Sequence, residues 1–244
     1  MAFAQTRAQI DQYVKDKTWY WYVPLWLFGL FGFVSLLGFD LTKPLPFVVM
    51  VPHAFDFMLH EFAHVFTAWL PPLVTAAAGS FSELLLGGLL VYGAFQFRNY
   101  FASLFCLLWL MLACMSVGSY MADALPQRIP LVSLGGAMTG SESVVHDWHF
   151  VFGQLGLLGS SSLIGNSVRV FGILAGAFGL IFAAWLIRKM AASPDKKPMT
   201  KEDLEMLKAA AAGDKPKAQI YPKPIKGNLA DDDKAPTNSN PKQG

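Results

Sequence analysis

The stretch from His60 to His64 combines residue types and a spacing that suit metal-dependent hydrolysis. It places two histidines four residues apart, with Glu61 directly after the first. Side chains at i and i+4 of a helix lie one turn apart on the same face, so both imidazoles can bind one Zn²⁺ ion. A bound zinc lowers the pKa of a water ligand towards ~7, and the adjacent carboxylate can accept its proton as a general base. The pattern predicts His60 and His64 as zinc ligands and Glu61 as the catalytic base.

The surroundings of this motif strengthen the metal prediction. The apolar segment 47–70 also contains His53 and Asp56, and at 100° per residue all five polar side chains fall on one side of a helix. Ionisable groups are costly in lipid, so this face must turn towards protein or a wet cavity. The alternatives are a buried histidine network or a pair of haem ligands. Two histidines one turn apart suit a single metal ion better than a haem, whose axial ligands approach from opposite faces.

A third ligand has to come from later in the chain, because catalytic zinc sites use three protein ligands. The candidates are Asp147 and His146, within the sequence His146-Asp147-Trp148-His149, and Asp123. The alternative for the His146-Asp147 pair is a polar loop in water near the lipid headgroups.

Other residues are candidates to support the ligands. Zinc-bound imidazoles usually donate their second N–H to a carboxylate or carbonyl, and Asp56 lies one turn before His60. His53 is predicted to line the cavity. Glu83 follows the small residue Gly79, which allows close helix contact. We expect Glu83 to face the helix that carries His60.

The composition places these residues in a membrane protein. Of the 244 residues, 54% are hydrophobic and only 15% are charged, against about 25% charged in a typical globular chain. Only eight of the 19 Lys and Arg residues lie in residues 1–188. The net charge of +2 and the lack of a basic stripe exclude a nucleic-acid-binding protein, and two cysteines exclude a disulfide scaffold.

The apolar runs predict an all-α, polytopic membrane helix bundle of five spans. The predicted spans are 19–39, 47–70, 73–97, 100–121 and 170–187. The stretch 122–166 is predicted to be a partly buried loop or a re-entrant segment, or a sixth crossing around Phe150. Basic residues flank both the first and the last span, but five spans cannot leave both ends in the cytoplasm. Either one end departs from the positive-inside rule or the Phe150 region is a sixth crossing.

The chain divides into three parts on this interpretation. Residues 1–18 form a polar N-terminal segment, and residues 19–190 form the transmembrane domain. Residues 191–244 form a mostly disordered polar tail, rich in Lys and Pro, with a short helix at 201–212.

At the His60–His64 motif the chain resembles the site-2-protease family of intramembrane zinc metallopeptidases. The resemblance covers residues 46–158 and implies peptide-bond hydrolysis within or beside the bilayer, with Zn²⁺ as the cofactor. That family takes its third ligand from an Asp-Gly pair, and this chain contains no Asp-Gly. Its His146-Asp147-Trp148 is similar to a group of bacterial membrane metallopeptidase-like proteins. This resemblance implies Asp147 as the third ligand, with His146 as the next candidate and Asp123 after it, and a bacterial inner membrane.

Two functions follow as hypotheses. The first is an intramembrane zinc metallopeptidase that cleaves membrane-spanning or membrane-proximal peptides. The second is a non-catalytic accessory subunit with a structural or vestigial metal site, bound to a larger membrane complex through its C-terminal tail. A lipid hydrolase or hydroxylase ranks third, since hydroxylases need more histidine clusters than five histidines can provide.

Overall fold

The computed structural model describes residues 2–15, 17–131 and 145–193, together with Glu205. The described part of the chain is helical, with no strand. Its α-helices are α1 (Ala2–Lys15), α2 (Tyr22–Leu37), α3 (Phe47–Thr67), α4 (Pro72–Gln96), α5 (Ser103–Ala122), α6 (Asp147–Gln154) and α7 (Ser161–Ala191). The helix predicted at 201–212 and the predicted disorder of the tail lie outside the described residues, apart from Glu205.

The predicted all-α membrane fold is confirmed at the level of class. Four helical segments in the described ranges are long and apolar enough to cross a membrane: Trp19–Leu37, Pro72–Gln96, Ser103–Ala122 and Leu158–Ala191. Helix α3 has 21 residues, which is long enough for a ~30 Å core. It is not among the four, because its histidines and carboxylates lower its mean hydropathy.

Helices α3, α4, α5 and α7 alternate in direction along the bundle. Gly79 of α4 faces His60 of α3, whereas Thr75, nearer the start of α4, reaches His64, nearer the end of α3. In the same way Gly172 of α7 faces Cys114 of α5, and Gly179 faces Leu107. These neighbouring pairs are therefore antiparallel, as expected for helices joined in sequence.

Helix α2 does not follow this alternation. The ring of Tyr22 lies 4.6 Å from that of Phe101, at the start of α5, and a Cβ on Gly32 would lie 3.9 Å from Leu108 further along α5. Helices α2 and α5 therefore run in the same direction. Helix α3 is also parallel to α5, so residues 38–46 return the chain between two parallel helices.

The first and last helices meet at one end of the bundle. Tyr13 of α1 donates a hydrogen bond to Asn99, just before α5, and Asp11 forms an ion pair with Lys189 near the end of α7. We call this the terminal end, and the opposite end, which includes the α3–α4 turn and α6, the site end. Helix α1 and the end of α7 therefore lie at the same end of the bundle.

Helix α7 is longer than its apolar run. It begins at Ser161, nine residues before the predicted boundary at 170, so Arg169 lies inside the helix rather than before it. Gly165, Gly172 and Gly176 of this helix are buried, and a Cβ on Gly172 would lie 2.5 Å from Cβ of Cys114. These small residues let α7 pack directly on α5.

The stretch predicted as a loop, a re-entrant segment or a sixth crossing contains one short helix among its described residues. Helix α6 has eight residues and is therefore about 12 Å long, which is too short to cross the bilayer. Residues 132–144 lie outside the described ranges. Helix α6 instead packs Val151 and Phe152 into a small apolar cluster at the site end, with Val117 and Met121 of α5.

Candidate metal centre

The polar face of α3 points into the bundle, as its spacing predicts. Asp56, His60 and Glu61 are buried, and His53 and His64 are partly buried. Large apolar side chains such as Phe62 and Phe66 occupy the exposed face. The helix is thus oriented by the cost of exposing polar groups to lipid.

Three ligand-type atoms converge at the site end. Oδ2 of Asp147 lies 3.3 Å from Nε2 of His60 and 3.3 Å from Nε2 of His64. The two imidazole rings are 4.8 Å apart, and each residue contributes one ligand atom to a group that lies within 4.8 Å. Among the described residues these three could hold a metal ion.

The second ring nitrogens of both histidines also have partners. Nδ1 of His64 lies 2.9 Å from the backbone carbonyl oxygen of Thr75, and Nδ1 of His60 lies 2.7 Å from Oε1 of Glu83. A carbonyl oxygen only accepts hydrogen bonds, so Nδ1 of His64 carries the hydrogen. If Glu83 is ionised, it accepts from Nδ1 and His60 has the same tautomer. Each ring is held at Nδ1, and Nε2 faces Asp147.

The α3–α4 turn brings Thr75 to this position. Helix α3 ends at Thr67, and the Pro71-Pro72 pair starts α4 four residues later. The Thr75 hydroxyl donates a hydrogen bond of 2.8 Å to the carbonyl of Thr67, one of the carbonyls left without a partner at the end of α3. The side chain of Thr75 thus closes the turn while its carbonyl orients His64.

Asp147 is fixed at the start of α6 by contacts to two other helices. The hydroxyl of Tyr120 on α5 accepts a hydrogen bond from the Asp147 backbone N–H at 3.2 Å and lies 3.3 Å from its Oδ2. The next residue, Trp148, donates from its indole nitrogen to the Ser80 hydroxyl on α4 at 2.9 Å. His149 reaches the carbonyl of Ala124 at 2.8 Å. These bonds anchor α6 against α4 and the end of α5.

The absence of a side chain at position 79 creates the space for the His60 ring. A Cβ built on Gly79 would lie 2.5 Å from Nε2 of His60 and 2.6–2.7 Å from the two adjacent ring carbons. Real Cβ atoms essentially never make such contacts. The ring can therefore reach this position only because residue 79 is glycine.

Glu61 follows His60 on α3 and is buried. It is 9% exposed, and its carboxylate interacts electrostatically with Tyr120, whose hydroxyl contacts Asp147. Glu61 therefore lies on the same side of the bundle as the three converging atoms.

The other predicted supporting residues lie elsewhere. Asp56 is fully buried and accepts a hydrogen bond of 2.8 Å from the indole of Trp109 on α5. The carboxylate that lies within hydrogen-bond distance of His60 Nδ1 is that of Glu83, across the helix interface rather than one turn earlier. His53 packs edge-on against Phe39 with ring centroids 5.5 Å apart.

The two alternative third ligands also have other contacts. Asp123 accepts hydrogen bonds of 2.9 Å from the backbone N–H groups of Arg128 and Ile129, and so stabilises the turn after α5. His146 stacks on Tyr120 with ring centroids 4.1 Å apart, and its Nε2 lies 3.8 Å from Asp123. The structure thus brings Asp147, but neither Asp123 nor His146, into the group with the two motif histidines.

The charge at the start of α6 is set by burial and by the histidines. Burial disfavours the charged form of Asp147, but hydrogen bonds with His60 and His64 outweigh it and lower the pKa of this carboxyl group to about 2. Burial lowers the pKa of His146, so its imidazole is neutral at pH 7. Asp147 is therefore a carboxylate at neutral pH.

A cavity of about 410 Å³ opens beside the group at the site end. His64 and Asp147 form part of its wall, and the rest is mostly apolar: Ala68, Leu70, Pro72, Thr75, Ala76, Val145 and Phe150. Its volume falls in the range of ligand-binding pockets, about 300–1,000 Å³. A molecule in this cavity would contact the histidine–aspartate group directly.

Two supporting groups carry little signal in the sequence. The Thr75 contact uses a backbone carbonyl, which every residue has, so no residue type marks it. Tyr120 precedes Asp123 by three residues and looks like an ordinary aromatic at the end of an apolar span. Only the packing of α6 on α5 reveals its contact with Asp147.

No family model matches this chain, and its comparison with curated proteins and with solved structures gives no significant match either.

Proposed function

We propose that this protein is an intramembrane zinc metallopeptidase with Zn²⁺ held by His60, His64 and Asp147. The observation that carries the proposal is the pair of 3.3 Å separations between Asp147 Oδ2 and the two Nε2 atoms. Two ligand atoms of a tetrahedral zinc, each about 2.0–2.1 Å from the metal, lie about 3.3 Å apart. Charge-assisted N–H···O hydrogen bonds are shorter, at about 2.7–2.9 Å.

The ring tautomers favour a metal over protons. With Nδ1 of each ring hydrogen-bonded to Glu83 or Thr75, the Nε2 lone pairs are available as ligands. The competing arrangement puts a second proton on both rings. That would place two imidazolium ions at a ring separation of 4.8 Å in a buried site, where like charges repel strongly. One divalent ion supplies the same charge without this repulsion.

The number of ligands favours catalysis over a structural role. Structural zinc sites have four protein ligands, whereas catalytic sites have three and keep one position for water or substrate. Within the described ranges the group contains three ligand-type residues. Zinc there would activate water and polarise a substrate carbonyl.

The residues of the chain then have distinct roles. Glu61 accepts a proton from the attacking water and passes it to the leaving nitrogen. Glu83 and the Thr75 carbonyl hold the two imidazoles in the required tautomer. The apolar cavity beside His64 binds the substrate next to the reacting bond. The substrate is a membrane-spanning or membrane-proximal peptide.

We further propose how the bundle crosses the membrane. Helices α3, α4, α5 and α7 make the complete crossings, while α2 and residues 38–46 enter and leave at the terminal end. This gives an even number of crossings, which agrees with the ion pair between Asp11 and Lys189. The membrane is the cytoplasmic membrane of a bacterium.

Metal removal tests the proposed function. The purified protein is expected to contain about one zinc per chain, and dialysis against a chelator should abolish hydrolysis of a membrane-inserted peptide. Adding back zinc should restore it. The measurements are metal content by mass spectrometry and cleavage in detergent or vesicles. Bound zinc without any hydrolysis would favour the accessory-subunit hypothesis. A purified protein without zinc would contradict both the catalytic metal site and the structural or vestigial one.

Substitution of Gly79 by alanine tests the fit of the His60 ring. The new Cβ would overlap the ring, so His60 must move and zinc affinity should fall at least about tenfold, as for other changes that support metal ligands. Competition with a chromophoric chelator measures this affinity. Gly88→Ala is the matched control, because it lies on the same helix and its Cβ would meet nothing within 4 Å. Equal zinc affinities for both variants would show that His60 does not need this space.

A further inference from the structure

The distribution of charge between the two ends of the bundle points to the side of the membrane on which the centre opens. The terminal end carries most of the basic residues that the structure describes along the helices: Arg7, Lys15, Lys17, Arg98, Arg188 and Lys189. The site end carries two, Arg128 and Arg169. Lys43 lies in the segment 38–46, which returns between the two ends, and is therefore left out of this comparison.

This asymmetry has a direct topological meaning. Lys and Arg near the ends of membrane spans are retained on the cytoplasmic side, and the bias is counted within about 15–20 residues of each span. Two of the six basic residues of the terminal end lie in α1, Lys17 follows α1, Arg98 lies in the short α4–α5 connection, and Arg188 and Lys189 lie in the last turn of α7. The terminal end is therefore the cytoplasmic end.

The position of the ligands along the helices gives their depth. His64 is the fourth residue from the end of α3, and Thr75 is the fourth residue of α4. At 1.5 Å per residue both lie about one turn from the end of their helices. The adjacent cavity is lined by Ala68, Leu70 and Pro72 of the α3–α4 turn, so it lies at the same end.

From these observations we infer that the centre opens to the extracytoplasmic side of the membrane. Its substrates are peptide segments presented at that surface, with an uncharged, apolar side chain in the cavity beside His64. The side of the membrane follows from the bundle and its charges alone. The peptide substrate rests on the proposed metallopeptidase function.

Two glutamines provide a matched pair for a topology experiment. Gln12 is exposed on α1 at the terminal end, and Gln154 is exposed at the end of α6 at the site end. Each is replaced by cysteine in a chain in which both native cysteines, Cys106 and Cys114, are serine. Intact bacterial cells are treated with a membrane-impermeant sulfonated maleimide, and a second sample is treated after lysis.

The expected result is labelling of Gln154→Cys in intact cells at least tenfold above that of Gln12→Cys, and comparable labelling of both after lysis. The reverse pattern, or equal labelling of the two positions in intact cells, would overturn the inference. Zinc content equal to that of the parent chain shows that each variant retains its fold.

A second measurement concerns the substrate. An impermeant peptide with a leucine beside the cleaved bond is added outside right-side-out vesicles and, separately, outside inside-out vesicles. We expect cleavage at least tenfold faster in the right-side-out vesicles. Cleavage that is faster in the inside-out vesicles would overturn the inferred access. If neither preparation cleaves the peptide while zinc is bound, the protein is not a peptidase and the inferred extracytoplasmic peptide substrate is wrong. The orientation of the bundle is decided separately, by the labelling experiment.

Discussion

Replacing Glu61 with glutamine is expected to reduce peptide hydrolysis by about 10²–10⁴-fold, the usual contribution of a general base. Glutamine has nearly the same shape but cannot accept a proton from water. Because Glu61 is outside the group of three converging ligand atoms, zinc should remain bound at the wild-type level. Hydrolysis is measured as the initial rate of cleavage of a membrane-inserted peptide, with zinc content determined on the same sample.

The control for this variant is Asp11→Asn, which makes the same change from carboxylate to amide at an exposed residue at the terminal end. It should retain the wild-type rate within about twofold. Glu61→Gln with full activity would remove the general base from the proposed mechanism. Loss of both zinc and activity would instead show that Glu61 is needed to build the site.

Replacing Asp147 with asparagine is expected to lower zinc affinity by more than about 100-fold. Changes to residues that only support metal ligands typically cost 10–100-fold, so loss of a charged ligand should cost more. The neutral amide also leaves less negative charge to balance the metal. Competition with chelators of known affinity measures the change.

Asp123→Asn is the matched variant for this prediction. Asp123 is the alternative acidic ligand from the sequence, but its oxygens accept hydrogen bonds from the backbone of Arg128 and Ile129. Its amide variant should keep zinc affinity within about threefold of the wild type. Zinc loss in Asp123→Asn together with retention in Asp147→Asn would mean that the third ligand lies on the turn after α5 rather than on α6.

The part of the site on α3 could be predicted because one helix determines it. Helical spacing alone places His60, His64 and Glu61 on one side, and the cost of polar groups in lipid turns that side inward. The position of Asp147 could not be predicted from a single helix, because it depends on how α6 packs against α4 and α5. The sequence favoured it over Asp123 through the adjacent His and Trp. The indole of Trp148, bonded to Ser80, is one of the contacts that hold α6 in place.

Hydropathy could not predict the direction of the helices or the contacts between them. An apolar run shows that a helix is long enough to cross a bilayer, but not whether the chain crosses or returns. Helix α2 has the composition of a span and yet runs parallel to α3, which carries the polar face. Likewise the sequence predicted Asp56 as the residue that orients His60 and placed Glu83 only on the facing helix. Glu83 lies next to His60 Nδ1 because α4 approaches α3 closely at Gly79.

The return of the chain after α2 has a consequence for the biogenesis of the protein. Part of the packing of α2 comes from α7, the last of the described membrane helices: the indole of Trp26 donates to the carbonyl of Leu180, and Gly176 fits against the ring of Phe33. When the ribosome has completed only the first half of the chain, α2 lacks these partners. The packing of the first hydrophobic segment is therefore completed only after α7 has entered the bilayer.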